Sequence, residues 1–448
     1  MRLGMIRTAG ALTGALALSL VTGCAGGDAG SAGNTVTYWL WDANQLPAYQ
    51  ACAKDFERRH PGLDVRITQL GWDDYWTKLT ASFIAGTEPD VFTDHIQKFG
   101  QFADLNVLEP LDGLGIRDAD YQPGLAANWT GRDGRRYGAP KDWDTVGLFY
   151  NAELAQAAGL TAGDLGSLSW NPEDGGTFEK AVARLTVDKN GRRGDEKGFD
   201  KDNVVVYGLA TNGGGAGDGQ TTWSNLAASA GWTYTDKKRW GTEYRYDDPT
   251  FQSVITWYFG LAKKGYMAPL TEYSQSSQAN AQIASGRAAA AFDGAWMLST
   301  YDGFKGLDIR TAVTPVGPTG KRATMMNGLA DSVTKNARNK PGALKWVKYL
   351  ASDACQRTVG RYGVVFPATW AGTRAAVAAY REKGIDVTAF TRPVADRKNF
   401  TTFSYPITTY AADVLALMHP AMEDVFGNGA PVSSLDRTNE QINLILDQ

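Results

Sequence analysis

Alternation between two hydrophobic periods constrains the fold of this chain more than any other feature. Three stretches alternate around β-branched and aromatic residues and predict strands, namely NTVTYWLWD, LDVRITQLG and PDVFTD. Two stretches between them carry apolar residues at helical spacing, LPAYQACAKDFERRHPG and DDYWTKLTASFIAG. Asp73 is a suitable cap for the second helix and Gly86 a suitable stop. Strand, helix, strand, helix, strand with short turns predicts a parallel α/β sheet.

The rest of the chain mixes long polar connections, between residues 161 and 222, with further helices and strands. The predicted elements are a helix in FEKAVARLT, a strand in NVVVYGLA, helical stretches around 223–231, 249–264 and 275–286, a strand in RAAAAFDG, a run at 308–316 and a helix in KPGALKWVKYLAS. The last ninety residues read as mainly helical. A chain of 448 residues exceeds what one core usually supports, so two domains are expected.

The first 23 residues predict a lipoprotein signal peptide. Arg2 and Arg7 precede an apolar segment that is too short to cross a bilayer as a stable helix. Small residues before Cys24 match the bacterial lipoprotein box, in which this cysteine is acylated and becomes the mature N-terminus; a free cysteine is the alternative. Residues 24–34 read as a flexible tether. We therefore expect an exported protein that is lipid-anchored to the outer face of the bacterial plasma membrane.

Charge and aromatic content indicate the kind of partner. A formal net charge of −3 provides no cationic excess for a nucleic acid. The chain contains 14 Trp and 19 Tyr, many beside Asp, Asn or Gln. A pyranose has an apolar C–H face and a rim of hydroxyls, so flat rings next to hydrogen-bonding side chains suit a carbohydrate.

Signatures of catalytic and metal sites are missing from the sequence. His60, His95 and His419 lie far apart without metal-ligand spacing, so neither a metal nor a cofactor is expected. No nucleophile elbow or phosphate loop occurs, and GGGAGDG lacks the dinucleotide spacing and reads as a flexible loop. Asp142 and Asp144 have the composition of a glycosidase pair, but alternation along one strand also explains them. We predict a protein that is not an enzyme.

The segment 188–196 has two interpretations. Asp188, Asn190 and Gly191 follow the spacing of the first half of a calcium loop. Arg192 and Arg193 stand where oxygen ligands would be needed, which favours a polar β-hairpin turn.

Two cysteines remain once Cys24 is acylated, and they leave two possibilities. Cys52 and Cys355 belong to an exported protein, where disulfides persist, so they either pair or remain as two buried thiols.

The ordered blocks of this chain resemble one protein family. The blocks are VTYWLWD, FERRHPGLDVRI, AGTEPDVFTDHIQKFGQFADLNVLEPL, GRRYGAPKDWDTVGLFYN, IASGRAAAAFDGAWML, CQRTVGRYGVVFPA and the closing INLIL. From about Thr35 to the end, the sequence resembles the maltose-binding-protein-like group of extracellular solute-binding proteins of ABC transporters. The resemblance implies an α/β, two-domain periplasmic-binding-protein-like fold with a hinge and an interdomain ligand cleft.

The resemblance also implies domain boundaries. It gives an N-terminal domain of residues 35–143 plus 329–360 and a C-terminal domain of 144–328 plus 361–448. Cys52 and Cys355 then fall on the first and last helices of one domain, which favours a disulfide.

Candidate ligand contacts follow from the strand ends, since open α/β sheets bind ligands beyond the carboxyl ends of their strands. They are Trp41, Asp42, Trp72, Asp94, Gln97, Asp142, Trp143, Trp223, Asn225, Trp232, Asp293, Trp296, Gly328 and Tyr405. Trp296 matches a family tryptophan that stacks on the sugar. Asp293 either binds a hydroxyl or caps the turn that aims the Trp296 ring. For Trp41, Trp72, Trp223 and Trp232 a place in a domain core is the alternative. For Asp42 and Asp94 the alternative is a helix-capping role.

The resemblance implies a function. A monomeric receptor anchored through Cys24 captures a mono- or oligosaccharide by hinge closure and delivers it to the permease subunits of an ABC importer. Two alternatives remain. One is a secreted carbohydrate-active enzyme that uses Asp142 and Asp144 or Asp293. The other is a surface sugar sensor or adhesin without transport.

Overall fold

The computed structural model describes residues 33–212, 217–270 and 278–448. The signal peptide, Cys24 and nearly all of the tether lie outside the described residues, as do part of GGGAGDG and the first residues of the helix predicted at 275–286. Of the helices in the described ranges, none combines the length and the apolar character that crossing a membrane requires.

The three alternating stretches form strands, and eight further strands are present in the described chain. They are β1 Thr35–Leu40, β2 Asp64–Gln69, β3 Val91–His95, β4 Gly138–Asn151, β5 Val187–Asp188, β6 Val204–Leu209, β7 Ala288–Gly294, β8 Ile309–Ala312, β9 Arg322–Val333, β10 Phe366–Pro367 and β11 Phe400–Phe403. In β1 every second residue is buried, which is the burial pattern expected of a strand with one face on a core.

Helices cover the faces of the sheet. They are α1 Leu46–Arg59, α2 Trp72–Ala85, α3 Ile96–Asp104, α4 Ala152–Ala157, α5 Ala162–Gly166, α6 Gly176–Leu185, α7 Ser224–Ser229, α8 Pro249–Lys263, α9 Ala279–Ala284, α10 Leu298–Asp302, α11 Lys340–Leu350, α12 Asp353–Tyr362, α13 Trp370–Glu382, α14 Thr388–Ala395, α15 Ala411–Phe426 and α16 Leu435–Leu446. The last ninety residues are mainly helical, as predicted.

The strand order confirms the α/β prediction. Along the sheet the order is β2-β1-β3-β9-β4-β7-β6-β5. Both neighbours of β1 run parallel to it, and β6 runs parallel to β7. The long strands β4 and β9 run antiparallel to each other in the middle.

β4 changes partners along its length. Residues 138–145 pair with β9, whereas residues 146–151 pair with β7 and β8. One continuous strand therefore connects the sheet of the first α/β unit with the sheet of the second.

Two local predictions need correction or refinement. The second helix begins at Trp72 with Gly71 as its cap, so Asp73 lies in the first turn, where a carboxylate faces the positive end of the helix dipole. Gly86 ends that helix in the left-handed conformation, as predicted.

The segment around Asp188 has the geometry of a hairpin turn. The Asp188 carboxylate accepts backbone N–H bonds from Asn190 at 2.7 Å, Arg192 at 2.9 Å and Asp200 at 2.8 Å. An antiparallel bridge joins Val187 to Arg193. Backbone donors thus occupy the carboxylate that the calcium interpretation needed as a ligand.

A buried ion network joins three strands of the first unit. Tyr38 donates to Asp331 at 2.7 Å, and the Lys141 ammonium donates to the Tyr38 hydroxyl at 2.9 Å. The same ammonium lies 3.3 Å from the centroid of the Tyr49 ring. Burial of Lys141 is thereby offset by a hydrogen bond, a nearby carboxylate and a cation–π contact.

The structure has a disulfide between Cys52 on α1 and Cys355 on α12. The two residues are 303 positions apart, so the bond ties the end of the first α/β unit to its beginning.

We predict that a form of the protein starting at Thr35, in which only these two cysteines occur, has no titratable thiol in denaturant before reduction and two afterwards. The double variant Cys52→Ser/Cys355→Ser should lose stability, at most about 4–5 kcal/mol in the chain-entropy estimate for a long loop. Thiol titration and urea denaturation measure both effects, and two thiols before reduction would contradict the bond.

Candidate ligand cleft

Aromatic side chains gather where β1 and β3 end. The Trp41 ring centroid lies 5.1 Å from that of Trp72 and 5.3 Å from that of Trp76. The His95 ring lies 5.5 Å from Trp72. Trp72 is 43% exposed although it is packed against these rings, so the cluster presents an indole to solvent at this edge.

Asp42 holds a turn before α1, whose N-cap is Gln45. Its carboxylate accepts the Asn44 backbone N–H at 2.8 Å and the Gln45 side-chain amide at 2.9 Å. These bonds close the turn that leads into α1.

Three polar side chains on the crossover strands form what we call the cleft floor: Asp142 and Asp144 on β4 and Asn327 on β9. Asp144 is directly opposite Asn327 in the strand register. All three are buried, and within the described chain Asp142 Oδ2, Asp144 Oδ1 and Asn327 Oδ1 have no hydrogen-bond partner. The other oxygen of Asp142 accepts the Leu329 N–H at 3.2 Å.

The cleft floor is connected to the aromatic cluster through His95. The Asn327 amide nitrogen lies 3.1 Å from His95 Nε2. His95 in turn lies 5.8 Å from the Tyr405 ring, measured between centroids. Unpaired acceptors and flat rings therefore occur side by side.

Burial controls the ionisation of the floor. It raises the pKa of Asp142 to about 7 against the opposing charge of Lys141. Burial, followed by the charge of Asp142, raises the pKa of Asp144 well above its ordinary value. Burial also lowers the pKa of His95 to about 3, which keeps that ring neutral at physiological pH.

A second group of polar residues lies at the beginning of α3. Gln97 donates from its side-chain amide to Asp218 at 3.0 Å. Together they line a cavity of about 20 Å³, walled by Tyr234, Tyr244, Tyr246 and Tyr405 among others, which has room for a water molecule. The sequence analysis missed Asp218 and three of these tyrosines. Asp218 lies in GGGAGDG, a loop that the sequence predicts to be flexible. Its carboxylate was the sequence feature that could have indicated a polar site residue there.

Asp293 and Trp296 are placed as a pair at the end of β7. Asp293 accepts the Gly294 N–H at 2.8 Å on one oxygen and the Tyr301 hydroxyl at 3.0 Å on the other. Burial raises its pKa to about 7. The half-buried Trp296 ring covers Gly294 so closely that any side chain there would overlap it. This arrangement fits the second interpretation of Asp293, as the residue that holds the turn under the indole.

Several tryptophans expected on the cleft wall lie in the cores instead. Trp143 is fully buried, stacks on Phe366 and donates to Thr373 at 2.9 Å. Successive residues of a strand face opposite sides, so Trp143 points away from the face that carries Asp142 and Asp144. Sequence proximity to two cleft-floor carboxylates was therefore a misleading signal for this residue.

Trp223 and Trp232 pack against each other and against Phe251. The Trp232 indole donates to the Arg245 carbonyl at 2.7 Å. Both are buried, so they correspond to the core alternative for these tryptophans.

The remaining candidates have structural partners. Asp94 is buried and accepts the His95 N–H at 2.8 Å. Asn225 accepts the Met325 N–H at 2.9 Å. Gly328 pairs with Trp143, and a side chain there would lie 2.6 Å from Leu125, so glycine permits close packing under the crossover.

Comparison with known proteins agrees with this architecture. Residues 42–357 match the family of bacterial extracellular solute-binding proteins. The chain belongs to this family. Its fold is the two-domain periplasmic-binding-protein fold with a hinge and a cleft. A Listeria monocytogenes ABC substrate-binding protein in complex with cycloalternan superposes with a TM-score of 0.76 at 18% identity, over 92% of this chain and 99% of that one. Mycobacterium tuberculosis UspC superposes with a TM-score of 0.71 at 23% identity, over 92% of this chain and 100% of UspC.

Curated relatives match over shorter stretches. Putative binding proteins of Brucella abortus are 28% identical over 155 residues, 34% of this chain and only 36% of their own length. The maltodextrin-binding protein MdxE of Bacillus subtilis is 26% identical over 274 residues, 60% of this chain and 58% of MdxE.

The raised pKa of Asp142 predicts a pH-dependent stability. Between about pH 4 and pH 7 the folded state keeps a proton on Asp142 that the unfolded state has already released. The stability that this proton contributes is therefore complete below about pH 4 and is lost as the pH rises towards 7. Relative to Asp142→Asn, which retains an acceptor for Leu329, the wild type should therefore lose stability between pH 5 and 7.5. The free energy of unfolding from urea titrations at both pH values measures this difference.

The matched control is Asp164→Asn. Hydrogen bonds from Thr161 lower the pKa of this exposed carboxylate, which is therefore ionised throughout this pH range. The difference in free energy of unfolding between Asp164→Asn and the wild type should thus stay constant between pH 5 and 7.5. If the difference for Asp142→Asn were also constant with pH, the raised pKa of Asp142 would be contradicted.

Proposed function

We propose that this protein is a lipid-anchored extracellular receptor that captures a sugar or oligosaccharide by domain closure and delivers it to an ABC importer. The observation that carries the proposal is the cleft floor, whose buried acceptors have no partner in the described chain and lie beside aromatic rings. Sugar hydroxyls supply hydrogen-bond donors, and the C–H face of a pyranose packs on an indole.

The names of relatives support the ligand class. Besides the maltodextrin-binding protein, a lactose-binding protein of Rhizobium radiobacter is 28% identical over 148 residues, 30% of this chain and 33% of its own length. We extend carbohydrate binding to this chain because the composition of its cleft agrees with those names.

The partner change of β4 supports the domain boundaries proposed from the resemblance. The N-terminal domain comprises residues 35–143 plus 329–360, and the C-terminal domain comprises 144–328 plus 361–448. The switch from β9 to β7 falls between residues 145 and 146, within two residues of the first boundary. Both cysteines of the disulfide belong to the N-terminal domain in this division.

Contacts that join the proposed domains support closure as the mechanism. Gln97 bonds to Asp218 across them, and the Trp240 indole donates to the Thr130 carbonyl at 3.0 Å. Groups on both sides thus meet directly, and in the proposed closure the crossover strands would act as the hinge.

The leader supports the location and the partners of the receptor. Cys24 is the proposed acylation site, residues 24–34 the tether, and the permease subunits of the importer the membrane partner. A monomer with one cleft suffices for this role.

The geometry of the acids disfavours the hydrolase alternative. Glycosidase carboxylates flank the scissile bond, whereas Asp142 and Asp144 project from one face of the same strand. Both oxygens of Asp293 already accept hydrogen bonds.

A thermal-shift screen against neutral mono- and oligosaccharides tests the proposal, because a ligand of the native state raises the apparent stability. Chromatography of the same mixtures after incubation checks for turnover. A stabilising sugar that is recovered intact is the expected result. Cleavage products would favour the hydrolase, and no response to any sugar would overturn the receptor.

We predict that Trp296→Ala weakens binding of the sugar found in this screen at least about tenfold and removes most of the tryptophan fluorescence change, since the stacking surface is lost. Trp370→Phe is the matched control, because Trp370 is 39% exposed on α13 and bonds only to the Ala119 carbonyl among the contacts described. Fluorescence titration measures both variants, and wild-type affinity in Trp296→Ala would remove this residue from the site.

A further inference from the structure

The cleft floor holds two buried carboxyl groups, each with an oxygen that has no hydrogen-bond partner in the described chain, which bears on the class of sugar. We propose that the site selects a sugar with a protonated amine, and that Asp144 is the residue that recognises the ammonium group. This inference rests on the proposed function and adds a ligand class to it.

Asp144 is the least compensated acid of the floor. It is 6% exposed, and its Oδ1 atom has no hydrogen-bond partner among the described residues. The residue opposite it, Asn327, also directs a buried oxygen without a partner. The neighbouring carboxylate two positions back, Asp142, has a third such oxygen. Three acceptors, two of them on carboxylates, thus share one small region.

The nearby basic groups serve other partners. Lys141 donates to Tyr38 and lies over the Tyr49 ring, and its charge acts on Asp142. Lys98 lies 6.0 Å from the centroid of the Trp76 ring, and its charge interacts with that of Asp218. His95 is neutral. In the part of the chain that the structure describes, the charge that acts on Asp144 is that of Asp142, which is of the same sign.

A hydroxyl and an ammonium group would satisfy these acceptors differently. A hydroxyl donates one hydrogen bond, whereas an ammonium donates three and stabilises the ionised form of a neighbouring carboxyl group. Charge-assisted hydrogen bonds are about twice as strong as neutral ones, and an uncompensated buried charge is costly. A sugar acid or sugar phosphate would be repelled by the same groups.

Isothermal titration at pH 6.5, where the amine is protonated, tests the inference with matched ligands. The probes are glucose, galactose and mannose, their 2-amino and 2-acetamido counterparts, and the corresponding β-1,4-linked disaccharides of glucose and glucosamine. Glucuronic acid is the anionic probe. For each parent sugar that binds, we expect the 2-amino form to bind at least about tenfold tighter than the 2-hydroxyl form, as for a charge-assisted hydrogen bond. The 2-acetamido form and glucuronic acid should bind more weakly than the amine.

Asp144→Asn removes the ionisable group at nearly constant size and should abolish the preference for the amine, so that the amine and hydroxyl forms of the sugar bind the variant with equal affinity. Asp188→Asn is the matched control: it replaces a buried acid of the hairpin turn whose oxygens both accept backbone N–H groups, and it should keep the preference. Thermal denaturation of both variants verifies that they are folded. If Asp144→Asn is misfolded, comparing the amine with the acetamide and hydroxyl ligands on the wild-type protein still tests the amine preference, because only the amine carries a charge.

The outcomes separate this inference from the proposed function. Equal or tighter binding of the neutral sugar overturns the amine preference and leaves the sugar receptor standing. A preference that persists in Asp144→Asn overturns the role of Asp144. Failure of every sugar, charged or neutral, overturns both.

Discussion

The antiparallel pairing of β4 with β9 is the constraint on which the rest of the structure depends. Both strands are almost entirely buried, and they connect the two α/β units through a single continuous sheet. Any change in the relative orientation of the two units must therefore involve this pair of strands. Because Asp142, Asp144 and Asn327 lie on these two strands, the candidate binding groups are located on the strands that join the two units.

The first unit is held by groups that make this pair a rigid base. Tyr38, Lys141 and Asp331 connect β1, β4 and β9 through buried hydrogen bonds, and the disulfide fixes α12 to α1. The chain leaves α12 and enters β10, which pairs with β4 at Asp142 and Trp143. The backbone that carries the cleft floor is therefore supported from both sides by contacts that do not involve a ligand.

The sequence predicted the elements well because their information is local. Alternation located β1 to β3, and Gly86 ended the second helix through its left-handed conformation. The site was less predictable. Trp143 is next to Asp142 along the chain but on the opposite face, and that required the pairing of β4 to be known. Asp218 meets Gln97 over 121 residues, a contact that neither periodicity nor spacing encodes. Asp293 showed its role only when Gly294 and Tyr301 were seen to occupy both of its oxygens.

Unpaired acids in the floor have a consequence for the hinge. A buried carboxylate without a partner costs free energy that hydration would recover, so an empty cleft with Asp144 in this state favours opening. A ligand that donates to Asp142, Asp144 and Asn327 removes this cost only when the cleft is closed around it. The same groups that recognise the ligand would then shift the equilibrium towards closure, because a ligand moves a conformational equilibrium by its difference in affinity for the two states. In the proposed receptor, recognition and closure would thus be two effects of one set of unsatisfied oxygens.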